Sequence, residues 1–399
     1  MKNILMVTPL YPLPTKENNC TYVCHFFTRE WVKMGYNVMV IHAQPVHCRA
    51  WHLLVKLFCP VLMNIMGGGN YYARRIKDTE HYVMDEVPVY RVPIYNSIPH
   101  GRYPEKSMDA FIGKVQGILE ANGFVPDCIV GHGLVIEVIP LLNKSYNAKT
   151  VMVLHGIPKK LDERYDDYAS LIDSYSAFGF RSAAIRQKFE SKYKTVRNPF
   201  LCLSGVPESQ ITESNRHIFH GPLTRFLYVG DLIERKYPLS LLEAVPAASD
   251  GDFSIRYIGS GPERKKLLEY VSANNLAGKV EFLGQVPRGK VPEYMDGAEC
   301  LIMISRREAY GLVYLEAMAR GCIVIASRNE GFDGIIVDGK NGFLCAAGDS
   351  AELASTIKRI NALSDEEKMT VSANALQTAK SMSDYEMARD YIEKLELIP

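Results

Sequence analysis

Short apolar runs alternate along the chain with stretches long enough for a helix, and this alternation limits the possible folds more than any other feature. Residues 3–7 and 37–43 are two such runs, and the segment between them has helical spacing and ends at Gly35. A strand, a helix and a second strand in this order predict a βαβ unit with parallel strands. Similar runs recur at residues 127–133, 149–156, 225–230, 253–259, 279–284, 299–305 and 322–327. The sequence therefore predicts a doubly wound α/β fold.

The length of the chain indicates two domains. It has 399 residues, of which 47% are hydrophobic, whereas one domain usually holds ~100 to 200 residues. Residues 207–224 are polar and aperiodic, and the alternation of strands and helices starts again at Arg225. We therefore expect an N-terminal Rossmann-like domain over residues 1–206 and a C-terminal one over residues 207–383. A last helix, within residues 384–399, is expected to cross back to the first domain.

Charge and cysteine content exclude several classes of protein. Lys and Arg together number 46 and Asp and Glu 45, so no global field attracts nucleic acid, and we expect no nucleic-acid partner. The nine cysteines are scattered and odd in number, which favours free thiols in a reducing compartment. The first apolar run is short and is followed by prolines, so it predicts a strand and not a signal peptide. The expected location is cytoplasmic.

Metal binding is not expected from the sequence. Cys20 and Cys24, next to His25, come closest to a metal-ligand spacing, but no later residue of the sequence completes the pattern. The sequence "DGD" at residues 250–252 resembles a D-x-D metal motif, but it falls where a polar turn is expected before a strand. We expect neither a metal nor another cofactor.

Two glutamates, Glu308 and Glu316, surround the point where a predicted strand passes into a helix. The strand ends near Ser305 and the helix begins near Gly311, so Glu308 is expected in the crevice outside the carboxyl end of a parallel strand. The first amides of the helix can hold a phosphate there. Carboxylates accept hydrogen bonds, and vicinal sugar hydroxyls are paired donors. A nucleotide diphosphate sugar, with phosphates in the middle and hydroxyls at both ends, fits this arrangement.

The segment "EAYGLVYLEAMARG" at residues 308–321 resembles the E-x7-E signature of the retaining, group 1 glycosyltransferases of family 4. The segments "FLYVGDLIERK", "YIGSGPERKKL", "VEFLGQV" and "NGFLCAAGD" also occur in the order and at roughly the spacing of that family. The resemblance is strong over residues 225–349 and weaker before them. It implies the GT-B fold, in which two Rossmann-like, doubly wound parallel-sheet domains face a cleft.

The resemblance also implies roles for individual residues. Glu308 would hold the donor sugar, Glu316 the ribose, and Lys236 the diphosphate, and His155 would face the donor sugar. In this family the departing phosphate takes the acceptor proton itself, so no side chain is assigned as general base. The expected catalytic residues are Glu308, His155 and Lys236, and the expected donor-binding residues are Glu316, Arg235, Gly311, Leu312, Val313, Gly259 and Gly261.

The sequence departs from the family pattern at two places. Asp231 stands where the family usually has a diphosphate-binding arginine, and a carboxylate there repels a diphosphate unless it turns away. Arg235, beside Lys236, is the candidate for the missing positive charge. The acceptor loop that follows the first strand reads "ENNCTY", with Cys20 where a glycine is common.

Residues 49–69 are apolar nearly all round but are broken by Lys56 and Pro60, which makes a poor membrane span. Three interpretations remain open: a buried helix, a lid over the acceptor site, or an interfacial element whose basic flank meets anionic lipid. Lipid-linked acceptors are common in the family, so contact with the inner face of a membrane is one expectation.

Taken together, these features predict a metal-independent, retaining glycosyltransferase that acts on a glycan or lipid-linked acceptor in polysaccharide synthesis. A non-catalytic glycan- or nucleotide-binding partner of a transferase is an alternative, because of Asp231. A third is a GT-B enzyme of other chemistry, such as a phosphorylase or an epimerase.

Overall fold

The computed structural model describes residues 2–14, 21–47, 76–96, 103–133, 136–157, 165–215, 217–249 and 251–398. Cys20, Asp250 and the apolar segment 49–69 lie outside these ranges. The contacts divide the chain into two compact units. The first unit comprises Met1–Phe180, Phe189–Cys202 and Ala388–Pro399, and the second comprises Arg181–Lys188 and Leu203–Met387.

The first unit is built on an eight-stranded sheet with the order β3-β4-β2-β1-β5-β6-β7-β8. All neighbouring strands are parallel except β3 and β4, which form an antiparallel pair at one edge. The strands are β1 (Asn3–Thr8), β2 (Asn37–Val46), β3 (Glu80–Met84), β4 (Val87–Tyr95), β5 (Cys128–His132), β6 (Lys149–Leu154), β7 (Ala177–Phe180) and β8 (Pro199–Leu201).

Helices accompany this sheet because most of its strands are buried on both faces, as the unbroken apolar runs predict. The helices that begin in this part of the chain are α1 (Val23–Lys33), α2 (Glu105–Ala121), α3 (Val138–Leu142), α4 (Tyr165–Ser174) and α5 (Ala183–Lys192). The end of the chain also belongs to the first unit. Trp31 of α1 donates a hydrogen bond from its indole N–H to the Ala388 carbonyl, and its ring packs edge-on against Tyr391.

The second unit contains a six-stranded sheet with the order β11-β10-β9-β12-β13-β14, in which all neighbouring strands are parallel. Its strands are β9 (Arg225–Val229), β10 (Ser254–Ile258), β11 (Val280–Gly284), β12 (Cys300–Ile302), β13 (Ile323–Ser327) and β14 (Phe343–Cys345). The helices after β9 are α6 (Pro238–Ala248), α7 (Arg264–Ala273), α8 (Val291–Asp296), α9 (Leu312–Met318), α10 (Ser350–Asn361), α11 (Asp365–Lys380) and α12 (Asp384–Leu397). From Ala388 onward, α12 belongs to the first unit.

The order of the strands reverses once in each sheet. In the first sheet the reversal lies between β1 and β5, and in the second it lies between β9 and β12. Doubly wound sheets bind ligands in the crevice at such a point, outside the carboxyl ends of the strands. The predicted doubly wound α/β fold with two Rossmann-like sheets is confirmed.

The antiparallel hairpin of β3 and β4 was not predicted from the sequence. Its turn places Asp85 and Glu86 in the left-handed region, with φ of 45° and 65°. Successive left-handed residues are typical of the tight turns that join antiparallel strands, but neither residue is the glycine or asparagine that usually marks one. Within the described ranges, no helix is long and apolar enough to span a bilayer.

Candidate functional site

The loops that follow β9 and β12 meet at the point of reversal in the second sheet. The register pairs Leu227 of β9 with Leu301 of β12, so both strands end at the same edge. Beyond that edge the Arg306 amide donates a hydrogen bond to the Arg235 carbonyl at 2.8 Å. The loop that carries Lys236 is therefore tied to the loop that carries Glu308.

Glu308 is fixed by polar contacts on both its backbone and its side chain. Its backbone N–H donates to the Glu330 carboxylate at 2.8 Å, and its Oε2 accepts a hydrogen bond from the Ser305 hydroxyl at 3.3 Å. The guanidinium of Arg235 lies 3.9 Å from the same oxygen, and the Glu308 side chain is 16% exposed. An ionised carboxylate accepts about four hydrogen bonds, so capacity remains for the hydroxyls of a sugar.

Gly311 directly precedes α9 and has a backbone conformation in which a side chain would clash. Its φ is +87°, and a Cβ built there would lie 2.3 Å from Cε2 of Tyr314. The Tyr314 hydroxyl donates to the Met303 carbonyl, and burial, followed by the charge of Glu308, raises the pKa of this hydroxyl well above its ordinary value. A neutral, buried tyrosine thus fixes the turn whose amides, from Gly311 to Val313, were predicted to hold a phosphate.

Lys236 and Arg235 supply positive charge at this edge. They lie in a short 3-10 turn, Glu234–Lys236, that precedes α6. The Lys236 ammonium lies over Gly230, where a Cβ would be 3.1 Å from Nζ. Among the described residues, no hydrogen-bond or ion-pair partner of this ammonium is found, whereas Arg235 is paired with Glu308. Lys236 is therefore a cation of this edge that is available to an anionic ligand.

Asp231 lies in the loop after β9 with its side chain exposed. Its backbone carbonyl accepts a hydrogen bond from the Tyr228 hydroxyl at 3.0 Å. Burial first, and then the charges of Asp231 and Glu308, raise the pKa of Tyr228 above its ordinary range, and Arg235 acts in the opposite direction. The Asp231 carboxylate is thus solvated but close enough to add negative charge to the edge.

Glu316, one helical turn into α9, is paired with a residue that the sequence did not single out. Arg288, from the loop after β11, donates a hydrogen bond from Nη2 to Oε1 of Glu316 at 3.0 Å. The Glu316 side chain is 17% exposed and that of Arg288 46% exposed. Glu316, the residue predicted to bind the ribose, therefore has its carboxylate held from one side by Arg288.

Close packing of the backbone requires glycine at positions 259 and 261. A Cβ at Gly259, whose φ is +136°, would lie 1.9 Å from the Gly230 carbonyl oxygen, and one at Gly261 would lie 2.3 Å from the Leu232 carbonyl oxygen. The loops after β9 and β10 are therefore in direct backbone contact. This contact accounts for both glycines whether or not a ligand binds there, so their predicted role in donor binding stays a prediction.

His155, the remaining predicted site residue, belongs to the first unit. It follows β6 directly and is half-buried. Its Nε2 lies 2.9 Å from Nδ1 of His132, and Nε2 of His132 lies 3.2 Å from the hydroxyl of Tyr391. His132 ends β5, the neighbour of β6 in the sheet. The orientation of the His155 ring is therefore set by a second histidine and, through it, by a tyrosine of α12.

Sequence reasoning missed Arg288, Glu330 and the contact between His132 and His155. Arg288 lies in a loop of varied polar residues, and no periodicity distinguishes it. Glu330 lies 22 positions from Glu308 in sequence, and a hydrogen bond over that separation leaves no local pattern. The resemblance of "GHG" at residues 131–133 to "LHG" at residues 154–156 was the one available signal for the histidine pair.

Comparison with known proteins gives consistent matches. The profile of the family described as "Glycosyl transferases group 1" matches residues 210–378. An uncharacterized glycosyltransferase of Methanocaldococcus jannaschii is 26% identical over 357 residues, which cover 83% of this chain and 93% of that protein. A Bacillus subtilis protein named as a teichuronic acid biosynthesis glycosyltransferase, TuaC, is 23% identical over 372 residues, 89% of this chain and 88% of that protein.

A solved structure resembles the whole chain. The crystal structure of Anabaena HepE in complex with UDP and glucose superposes with a TM-score of 0.68 at 16% identity, over 99% of this chain and 100% of that one. Two Rossmann-like units of this kind define the GT-B class, and the match of residues 210–378 indicates a glycosyltransferase. More particularly, residues 210–378 match the group 1 glycosyltransferases, so the resemblance to this family that the sequence predicted is confirmed.

Proposed function

We propose that the protein transfers a sugar, with retention of configuration, from a nucleotide diphosphate sugar to a glycan or lipid-linked acceptor in the synthesis of a cell-surface polysaccharide. The observation that carries the donor part is the cluster at the carboxyl edge of the second sheet. There the available ammonium of Lys236 lies beside the paired Glu308 and Arg235. An anion and a set of hydroxyls are the ligands that such a cluster recognises.

In this proposal each group at the edge has a separate role. The ammonium of Lys236 and the amides from Gly311 to Val313 hold the diphosphate. Glu316 accepts hydrogen bonds from the ribose hydroxyls, and Glu308 accepts them from the donor sugar. Hydrogen bonds to charged groups contribute about 1.5 to 3 kcal/mol each, so the loss of any one of them is measurable as weaker binding or slower transfer.

The chemical step follows from the charge that develops on the leaving group. As the bond between sugar and phosphate breaks, negative charge grows on the diphosphate, and the positive groups around Lys236 stabilise it more in the transition state than in the ground state. The leaving phosphate takes the proton of the acceptor hydroxyl, so no side chain is assigned as general base. His155 is proposed as a hydrogen-bond partner of the donor sugar. No metal ion is needed in this scheme.

The acceptor and the pathway are supported only by relatives. TuaC is named as a teichuronic acid biosynthesis glycosyltransferase, and it aligns along most of this chain. HepE was crystallised with UDP and glucose, which makes the uridine nucleotide the first donor class to test. Residues 49–69 are the proposed contact with a membrane surface.

The experiment that tests the donor site is calorimetric titration of the purified protein with UDP, GDP and ADP, with and without magnesium. We expect one nucleotide to bind, to the same extent in both conditions. Transfer is then followed with the matching nucleotide sugar and a mixture of glycan and lipid-linked acceptors, as release of the nucleoside diphosphate. Nucleotide binding without any release would favour a non-catalytic partner, for which the exposed carboxylate of Asp231 is the specific reason.

A further inference from the structure

Three side chains from separate parts of the first unit converge at the carboxyl edge of its sheet. Cys24 lies in the first turn of α1, His132 ends β5, and His155 follows β6. One candidate ligand atom of each lies within 4.8 Å of the other two. Cys24 and His132 are fully buried, whereas His155 is half-buried. The cluster lies beside the reversal of strand order between β1 and β5, where a ligand has access to it.

His132 is already oriented as a metal-binding histidine usually is. Nε2 of His132 lies 3.2 Å from the Tyr391 hydroxyl, and Nδ1 of His132 lies 2.9 Å from Nε2 of His155. With the proton of His132 on Nε2, this ring donates to Tyr391 and turns the lone pair of Nδ1 toward His155. A histidine that binds a metal commonly donates its other N–H to such a fixed partner, which sets both tautomer and direction.

The thiol of Cys24 is also in a setting that suits a thiolate. The Thr8 hydroxyl lies 3.7 Å from Sγ of Cys24, and Oγ1 of Thr8 accepts the Leu10 amide at 2.9 Å. Either group can donate while the thiol is protonated, but once the thiol loses its proton only the Thr8 O–H can donate to the sulfur. A donated hydrogen bond stabilises the anionic form of a sulfur and therefore favours deprotonation when a cation is present.

We propose that Cys24, His132 and His155 form a binding site for a zinc ion. The ion would bind Nε2 of His155. One thiolate and two imidazoles are ligands that Zn²⁺ prefers, and three protein ligands leave a fourth position for water. Zn–N bonds of about 2.0 to 2.1 Å and a Zn–S bond of about 2.3 Å require ligand atoms roughly 3.3 to 3.6 Å apart in a tetrahedral site. The three ligand atoms now lie within 4.8 Å of one another, so they would have to approach by at most about 1.5 Å.

Binding of zinc displaces one proton from the Cys24 thiol, and this proton goes to solvent. The hydrogen bond between the two histidines is lost, and the proton on Nε2 of His155 is exchanged for one on Nδ1, so the ring stays neutral. His132 keeps its proton on Nε2 against Tyr391. Binding of one ion therefore releases one proton, and affinity for zinc rises with pH until the thiol is fully ionised.

Zinc at this site is expected to inhibit sugar transfer. This step rests on the proposed function, in which His155 forms a hydrogen bond with the donor sugar. A zinc ion would hold the His155 ring toward Cys24 and His132 and away from the sugar, so occupation of the site and transfer exclude each other. The enzyme would then respond to the concentration of a free transition metal even though its chemistry needs none.

Cobalt titration tests the site without reference to activity. Co²⁺ replaces Zn²⁺ in such sites and gives a thiolate-to-cobalt charge-transfer band together with the visible bands of a four-coordinate ion. We expect one Co²⁺ to bind the reduced, chelator-treated full-length chain with these bands, and Zn²⁺ to displace it. Cys24→Ser should abolish the charge-transfer band, and His132→Gln should weaken cobalt binding at least tenfold while circular dichroism shows a folded protein.

The matched control is Cys128→Ser, which changes a fully buried thiol on β5 that lies outside the cluster. It should leave the cobalt bands unchanged. Absence of a charge-transfer band in the unmodified chain, or its persistence in Cys24→Ser, would show that no such site exists.

A transfer assay then tests the consequence. Zinc should inhibit the unmodified enzyme, EDTA should restore it, and Cys24→Ser should keep its turnover while requiring at least ten times more zinc for the same inhibition. Equal sensitivity of both proteins would overturn the proposed inhibition. If the chain shows the cobalt bands but transfers no sugar, the metal site is supported and the proposed function is rejected. If it transfers sugar but shows no cobalt bands, the proposed function is supported and the metal site is rejected.

Discussion

Arg288 donates a hydrogen bond to Glu316 at 3.0 Å, although the two residues lie 28 positions apart, one in the loop after β11 and the other in α9. The guanidinium occupies one oxygen of the carboxylate that the family resemblance assigns to the ribose. Because a carboxylate has about four acceptor positions, Arg288 and a ribose can be held together. Arg288 therefore acts as a positioning residue, which limits the rotation of Glu316 before the nucleotide arrives.

Replacement of Glu316 by Ala should weaken nucleoside diphosphate binding by about 10-fold to 100-fold, because hydrogen bonds to a charged group contribute roughly 1.5 to 3 kcal/mol. Arg288→Ala should weaken it only a few-fold, since an exposed ion pair contributes about 0 to 1 kcal/mol. Calorimetric titration measures both. Glu281→Ala is a matched control, because it breaks another exposed ion pair, with Arg256 at 3.0 Å, on β11. Unchanged affinity in Glu316→Ala would reject its role at the ribose.

Replacement of Lys236 by Ala should lower the turnover number by about 100-fold to 1,000-fold, with a smaller effect on nucleotide affinity. The reason is that its ammonium is needed most when charge develops on the leaving diphosphate. Steady-state kinetics with the matching donor separates the two effects. Lys265→Ala, on α7, removes a lysine side chain that is 88% exposed and should leave turnover unchanged. Normal turnover in Lys236→Ala would indicate that Arg235, and not Lys236, stabilises the leaving diphosphate.

Gly311→Ala should destabilise the second unit more than Gly339→Ala does. Both glycines have positive φ, of +87° and +78°, so both substitutions carry the cost of a left-handed alanine, about 1 to 2 kcal/mol. Only at Gly311 does the added Cβ also meet a ring, that of Tyr314, at 2.3 Å. The difference in the free energy of unfolding, measured with urea, isolates the steric part. Equal destabilisation would mean that the Tyr314 ring moves aside freely.

Acidification should destabilise the first unit through His42. Burial, and then the charge of Arg91, lowers the pKa of His42 to about 3 in the folded chain, whereas the unfolded chain has an ordinary value of about 6.5. Between these values the unfolded state binds the additional proton, so stability is present above pH ~6.5 and is lost as the pH falls, by about 1.4 kcal/mol per unit. Melting temperatures at pH 7 and pH 5 measure this loss.

His42→Asn should reduce the difference between the two melting temperatures, because the buried ring is no longer there to be protonated. His81→Asn, which changes an exposed histidine of β3, should leave the difference as it is. An unaltered difference in His42→Asn would assign the acid sensitivity to other groups, of which the buried His25, whose pKa is also lowered by burial, is the first.

The sequence by itself determined the fold class and the edge of the second sheet at which a donor site is expected. Unbroken apolar runs can be satisfied only by strands covered on both faces, and their alternation with helices requires parallel connections. The position of Glu308 after a strand, and of Gly311 before a helix, therefore placed both residues at the carboxyl edge of a sheet. These positions depend only on neighbouring residues in the sequence, so the sequence pattern predicts them.

Only the tertiary structure decided which side chains share hydrogen bonds and charges. Three hydrogen bonds depend on strand order and on the paths of loops. They join Arg288 to Glu316, the Glu308 amide to Glu330, and His132 to His155. Cys24 joins the two histidines only because the first turn of α1 lies beside the ends of β5 and β6. Contacts between residues distant in sequence leave no periodicity, because their geometry is set by the packing of whole elements and not by neighbouring residues.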